Sequence, residues 1–233
     1  MNLGPPGTTT AVPRSRRPRA LTQQKLDQLL ARSAELIAEK GFEAMSMRDV
    51  SAAVGASLAG LYHYFESKED LLYLLQHRTF GSLLESQQAI AAQPGTPEER
   101  FRRLLIGHLV FFAEHSAELK ACTFELKSLT GERYETVEAL RRRYHRLMAS
   151  VVAELRDGSG KRASESRKAR HAALFIFGML NWVFTWYTPE RYGSVEQIGN
   201  EMLDLVLNGL RGAGRRKPLV NVTTASSNGK KRR

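Results

Sequence analysis

From Leu26 to Leu210 the apolar residues recur every three or four positions, and no stretch alternates with a period of two. A chain patterned this way folds as an all-α protein, with about nine helices. Leu26, Leu29, Leu30, Leu36 and Ile37 form the first stripe, and Gly41 stops it just behind Lys40. Ser46-Met47-Arg48-Asp49 has capping-box spacing, with Asp in place of the usual Glu or Gln, and predicts a short helix that turns Val50, Ala53 and Val54 inward. Gly55-Ala56 marks a tight turn. Ser57 then caps a helix over 58–65, and Ser67 caps a longer one from about 68 to 91. Pro94 to Pro97 interrupts the pattern before a fifth helix, on which Phe101, Leu104, Leu105, His108 and Phe112 share a face. A shorter helix is expected over 118–128. Another follows Gly131 and carries Tyr134, Val137, Leu140, Tyr144, Leu147, Val151 and Leu155. Beyond a loop at 157–160, one helix covers about 163–187 and is ended by Pro189, and Ser194 caps the last.

Charge separates the ends from the middle. The 233 residues carry a formal charge of +11, from 35 basic and 24 acidic residues. Arg14, Arg16, Arg17 and Arg19 stand in residues 1–20 without an acid, and eight basic residues stand in 211–233, again without one. The body between them is close to neutral. Both ends are rich in Pro, Gly, Ser and Thr and cannot bury apolar area, so they are expected to be disordered arms. Two readings fit them: solubilising tails, or nucleic-acid arms that displace counterions from phosphates. The lone Cys122 excludes an internal disulfide framework. The longest apolar run, near 172–187, is shorter than the roughly 20 residues a membrane span needs, and Asn181 interrupts it. No secretory run opens the chain. A cytoplasmic protein without membrane contact is the expectation.

The helices at 46–54 and 57–65, joined through Gly55, form a helix-turn-helix. Val50, Val54, Leu61 and Phe65 would lock the pair together. That leaves Leu58, Ala59, Gly60, Tyr62, His63 and Tyr64 outside. Small residues at 59 and 60 let the start of the second helix sit deep in a major groove, and the free N–H groups at helix starts can receive phosphates. The same spacing also suits an ordinary α-hairpin in a bundle.

The run GFEAMSMRDVSAAVGASLAGLYHYFESKEDLL settles between them, because it resembles the DNA-binding domain of the TetR family of bacterial transcriptional regulators over about residues 22–82. The resemblance implies that the helix with Tyr62 and His63 is the recognition helix. It implies that Ser46, Tyr62, His63 and Lys68 touch phosphates while the start of that helix reads bases. The full set of DNA-facing candidates is Arg14, Arg16, Arg17, Arg19, Ser46, Met47, Arg48, Ser57, Leu58, Ala59, Gly60, Tyr62, His63, Tyr64 and Lys68. Leu58-Ala59-Gly60 departs from the Lys-Gly-Thr type of segment common at this place; the missing Lys removes one contact, and Leu58 could meet a thymine methyl instead. Residues 21–70 hold five basic and eight acidic residues, so the Arg14–Arg19 arm is the natural electrostatic supplement.

The division expected is a basic arm over 1–20, a DNA-binding domain over 21–82, an effector-binding and dimerisation domain over 83–210, and a basic tail over 211–233. The resemblance implies a small-molecule effector, a double-stranded operator and a homodimer through the last two helices. The helix around Phe175-Ile176-Phe177 is apolar nearly all round, so one face can line a pocket while another packs with Leu203, Val206, Leu207 and Leu210 against a second subunit. The stretch from Asn181 through Trp186-Tyr187-Thr188-Pro189 is similar to TetR regulators of fatty-acid, sterol or aromatic-acid catabolism, which release DNA on binding acyl-CoA thioesters. Phe111, Phe112, Phe124, Tyr144, Phe177, Asn181 and Trp182 are candidate pocket walls, and Arg141 a candidate phosphate anchor. Arg142 and Arg146 are expected to point away from that face, with Glu138 paired to Arg142. A drug-like or free-acid effector remains the alternative, as does a sequence-independent nucleic-acid binder driven by the arms.

No enzyme signature is present: no nucleophile elbow, no phosphate-binding loop, no dinucleotide fingerprint and no Cys/His dyad. The six histidines form no metal spacing, and no cofactor is expected.

Overall fold

The computed structural model describes residues 23–157 and 167–212. Among these residues it holds ten α-helices and no strand. α1 (Gln23–Lys40), α2 (Met47–Val54) and α3 (Leu58–Tyr62) make a head; α4 (Lys68–Ala92) carries the chain away from it. The body consists of α5 (Pro97–Glu114), α6 (Ser116–Phe124), α7 (Gly131–Asp157), α8 (Arg167–Trp182), α9 (Pro189–Tyr192) and α10 (Val195–Gly212). Short 3-10 turns at Leu126–Ser128 and Val183–Thr185 follow α6 and α8.

Local chemistry sets the boundaries. Ser46 Oγ accepts the Asp49 N–H while the Asp49 carboxylate accepts the Ser46 N–H, which closes the capping box of α2. Gly55 ends α2 in the left-handed region at φ 64, a conformation that favours glycine. Thr96 and Glu99 form a second capping box at α5, with Pro97 in the first turn where its missing N–H costs nothing. Ser194 and Gln197 exchange hydrogen bonds at the start of α10.

Three large clusters hold the described residues together, beside a small one of Ala153 and Ala169. In the first, Leu29, Leu30, Ala34 and Ile37 of α1 meet Val50, Leu61, Phe65 and Leu71, Leu72 and Leu75 of α4. That cluster does not stop at the head, because Ala121, Leu126, Leu129 and Val137 of the body belong to it. The second joins α5, α7, α8 and α10 through Phe101, Leu105, Met148, Val152, Ile176 and Leu203, among others. The third is an aromatic layer of Leu83, Leu84, Phe112, Leu119 and Tyr144.

Several sequence expectations need correction. The helix begun by Ser57 ends at Tyr62 and passes into turns, not on to residue 65. α8 ends at Trp182, and Pro189 opens α9 instead of closing the helix before it. Both outcomes obey the same rule, since proline is excluded from helix interiors and favoured in the first turn. Leu203, Val206 and Leu207 pack into the second cluster of their own chain, so that stripe is covered within one subunit.

Candidate nucleic-acid interface and effector cavity

The head presents α3 behind a tight turn. Val50, Leu61 and Phe65 are buried and Val54 packs on them, which fixes α2 against α3 as the spacing predicts. Ser57 Oγ accepts the Gly60 N–H at 3.0 Å and caps α3, and Ser67 Oγ accepts the Asp70 N–H at 3.1 Å and caps α4. Arg48, Ala59, Tyr62 (51% exposed) and His63 lie on the outside, with Ser46 and Ser57 exposed at the two helix starts. Tyr64 is exposed as well, its ring edge-on to His63 at 5.2 Å. Gly60 has a local reason to be glycine: a Cβ there would stand 3.0 Å from the Ser57 cap oxygen.

Three DNA-facing candidates are placed otherwise. Met47 is only 5% exposed and packs in the head's core, so it cannot reach a base. Leu58 is half-buried against the same cluster, which withdraws it from a thymine methyl. The Lys68 ammonium donates to the carbonyl oxygens of Phe42 at 3.0 Å and Glu43 at 3.2 Å and lies 4.4 Å from the centre of the Phe42 ring. Its first duty is therefore to tie α4 to the turn between α1 and α2. Arg14, Arg16, Arg17 and Arg19 lie outside the described residues.

The body holds a half-open cavity of about 480 Å³ between α4, α5, α6, α7 and α8. Phe80, Leu83, Leu119, Leu174 and Phe177 give it apolar walls, and Arg141, Tyr144 and Asn181 reach it as well. Deep inside, His108 Nδ1 and the Tyr144 hydroxyl are 2.9 Å apart, with the two rings stacked. Burial pushes the His108 pKa down to about 4, against a smaller opposite effect of the Asn181 side chain. Burial likewise drives the Tyr144 phenol upward. At neutral pH both groups are uncharged, so this end of the cavity offers hydrogen bonds without charge.

The charge is elsewhere on the wall. Arg141 pairs with Glu138 at 3.2 Å and lies 5.6 Å from the Phe80 ring centre, while Arg142 pairs with Glu135 at 3.4 Å. Both arginines line the cavity, which corrects the expectation that Arg142 points away and pairs with Glu138. Arg141 is about one-third exposed and Arg142 half exposed, so each can exchange its partner for a ligand anion at small cost.

Four of the eight ligand candidates thus come together: Arg141, Tyr144, Phe177 and Asn181. Phe124 is 59% exposed and Trp182 is 62% exposed, and neither lines either cavity, because each falls on the outer side of its helix. Phe111 stacks on His115 at 4.2 Å instead. Phe112 lines a second, smaller cavity of about 220 Å³, together with Leu109, Phe184, Tyr187 and Ile198. His108, Phe80 and Glu138 line the cavity as well, and the sequence signal for His108 is its place on the apolar face of α5.

α6 connects the two regions. Its Leu119 and Thr123 line the larger cavity, while its Ala121 sits in the head's core and accepts a hydrogen bond from Gln76 through its carbonyl. Just beyond it, Glu125 accepts the Phe42 N–H at 3.2 Å. From α7, Arg133 donates to Asp70 at 2.9 Å, at the start of α4.

A capped helix-turn-helix head fused to a helical body with a largely apolar cavity is the arrangement of a DNA-binding transcriptional regulator. The model for bacterial regulatory proteins of the tetR family matches residues 29–73, and the model for the tetracyclin repressor-like C-terminal domain matches residues 94–210. The chain belongs to the TetR family. The crystal structure of PfmR, a TetR family transcriptional regulator from Thermus thermophilus, is 30% identical and superposes with a TM-score of 0.68, covering 78% of this chain and 98% of that one. The HTH-type transcriptional repressor KstR2 of Mycolicibacterium smegmatis is 26% identical over 187 residues, 79% of this chain and 89% of that protein. AibR, solved in complex with isovaleryl coenzyme A and operator DNA, shares the fold at 24% identity and a TM-score of 0.69, covering 78% of this chain and 97% of that one. Among the described residues no helix is long and apolar enough to cross a membrane.

Proposed function

We propose that this protein is a homodimeric repressor in the cytoplasm that leaves its operator when an acyl- or aryl-CoA thioester fills the larger cavity. The observation that carries the reading is the division of that cavity. Its inner end is apolar and uncharged around His108 and Tyr144, whereas two arginines stand elsewhere on its wall. A thioester matches this division, with a neutral acyl carbonyl and an apolar tail at one end and phosphates at the other. A free acid would offer these arginines one carboxylate in place of several phosphates, and so fits the division less fully. The thioester bound by AibR points the same way.

Release requires that the ligand prefer the conformer that does not bind DNA; a ~100-fold preference supplies about 2.7 kcal/mol of coupling. α6 is the proposed lever, since the residues that line the cavity and those that pack into the head share its nine residues. The dimer is proposed to form over the outer face of α8, where Phe175 and Trp182 are exposed together, with Leu174 and Gly178 at its edge, where they also border the larger cavity, and with Leu205 of α10 exposed as well.

The test is DNA release from a fragment the protein selects out of a random library. CoA thioesters, the matching free acids and lipophilic cations are compared. Release by thioesters alone supports the reading. Release by acids or cations with no response to any thioester overturns the effector and leaves the DNA-binding regulator standing.

A further inference from the structure

Two cavities of the body meet across one aromatic layer. His108 and Tyr144 line the larger cavity, and Phe112, whose ring lies 5.2 Å from that of His108, lines the smaller. The outer side of Phe112 is covered by Phe184, its ring parallel to within 3° at a centroid separation of 5.5 Å. Both rings belong to the aromatic layer that also holds Leu83, Leu119 and Tyr144, three residues of the larger cavity.

The two rings are held very differently. Phe112 is buried and stands on α5, an 18-residue helix packed on three sides. Phe184 is half-buried and stands in the 3-10 turn Val183–Thr185, between the end of α8 and α9. Its side chain is held by ring contacts: edge-on to Phe124 at 5.7 Å, with the Lys120 ammonium 5.7 Å from its centre. Both of those neighbours belong to α6, and Phe124 is itself exposed. Were Phe184 to swing out, Phe112 would lose its backing, and a change of its rotamer would join the smaller cavity to the larger.

We propose that the Phe112–Phe184 pair is a ring gate that sets the length of apolar chain the effector site accepts. With the gate closed the site takes a short acyl or single-ring group ending against Phe112. With it open, a longer chain passes into the space lined by Leu109, Tyr187 and Ile198. The inference rests on the thioester reading above and adds what determines its tail.

Calorimetric binding of butyryl-, octanoyl- and palmitoyl-CoA to the full-length protein tests it without need of the operator. Each methylene newly buried strengthens binding about fourfold. Phe184→Ala is therefore expected to raise the affinity for palmitoyl- relative to butyryl-CoA by more than roughly tenfold, with butyryl-CoA affinity little changed. Phe184→Trp, which keeps the layer filled if the alanine variant folds poorly, is expected to move the same ratio the other way. Binding of thioesters with a palmitoyl-to-butyryl ratio unmoved in both folded variants overturns the gate and spares the effector class. Failure of all three thioesters to bind the wild-type protein removes the effector class, and the gate with it.

Discussion

Glu125 and Phe42, 83 positions apart in the chain, are joined by one hydrogen bond from the Phe42 N–H to the Glu125 carboxylate. The carbonyl of the same Phe42 accepts the Lys68 ammonium, so this residue of the head is held from the body on one side and from α4 on the other. Glu125 lies two residues past Thr123, which lines the cavity. A displacement of α6 by a ligand would therefore pull on the turn that orients α2.

Replacing Glu125 with Gln should keep the bond but weaken it, and Glu125→Ala should remove it, at about 1–3 kcal/mol for a charge-assisted bond. The effect expected is on coupling more than on binding. Effector affinity measured without DNA should stay within a factor of about two or three, while the effector concentration needed for DNA release should rise severalfold. Equal release curves for wild type and Glu125→Ala would show that the coupling runs elsewhere.

Tyr62 and Lys68 should separate in their effects. Tyr62 is half exposed and packs on little, so Tyr62→Ala should leave thermal stability unchanged and weaken binding to operator and random DNA alike. Lys68→Ala leaves the Phe42 and Glu43 carbonyls without their donor and should cost about 1–2 kcal/mol of stability as well as DNA affinity. Melting temperature beside DNA titration checks both. A Lys68→Ala protein of unaltered stability would contradict the tie described above.

Acid should weaken the fold before carboxylates begin to titrate. The unfolded chain takes up the His108 proton near 6.5, whereas burial holds the folded pKa near 4. Stability from this group is therefore complete above pH 6.5 and is lost as pH falls toward 4, by about 2 kcal/mol between pH 7 and pH 5. His145, lowered chiefly by burial, acts in the same direction. Denaturant unfolding at the two pH values should show this slope in the wild type and a clearly shallower one in His108→Leu. Parallel slopes would refute the assignment.

The sequence made the head legible and the cavity only half so, for a physical reason. Ser46, Ser57, Ser67 and Gly55 act on backbone groups within a few positions, so their roles follow from spacing. Which side of a helix faces a cavity depends on elements far away in the chain. Phe112, Phe124 and Trp182 were equally aromatic candidates, yet one lines a smaller cavity and two face outward. The Leu203–Leu207 stripe carried the same ambiguity: an apolar stripe says that something covers it, not whether the cover is α5 or a second subunit.

The dimer seam proposed on α8 gives a last test. A glycine inside a helix costs about 1 kcal/mol relative to alanine, and a Cβ at Gly178 would meet nothing within 4 Å in its own chain. Within its own subunit the position borders the larger cavity and packs against no neighbour. Phe175 and Trp182 flank it three and four residues away on the same exposed face, so two copies of α8 crossing antiparallel at Gly178 would set each Phe175 near the Trp182 of the other. Gly178→Ala should raise the stability of the dissociated subunit by about 1 kcal/mol and weaken the dimer, and Gly178→Arg should dissociate it at micromolar concentration while leaving the helical fold intact. Sedimentation velocity with circular dichroism reads both. A Gly178→Arg protein that remains a dimer would place the seam on another surface, with Leu205 of α10 the next residue to substitute.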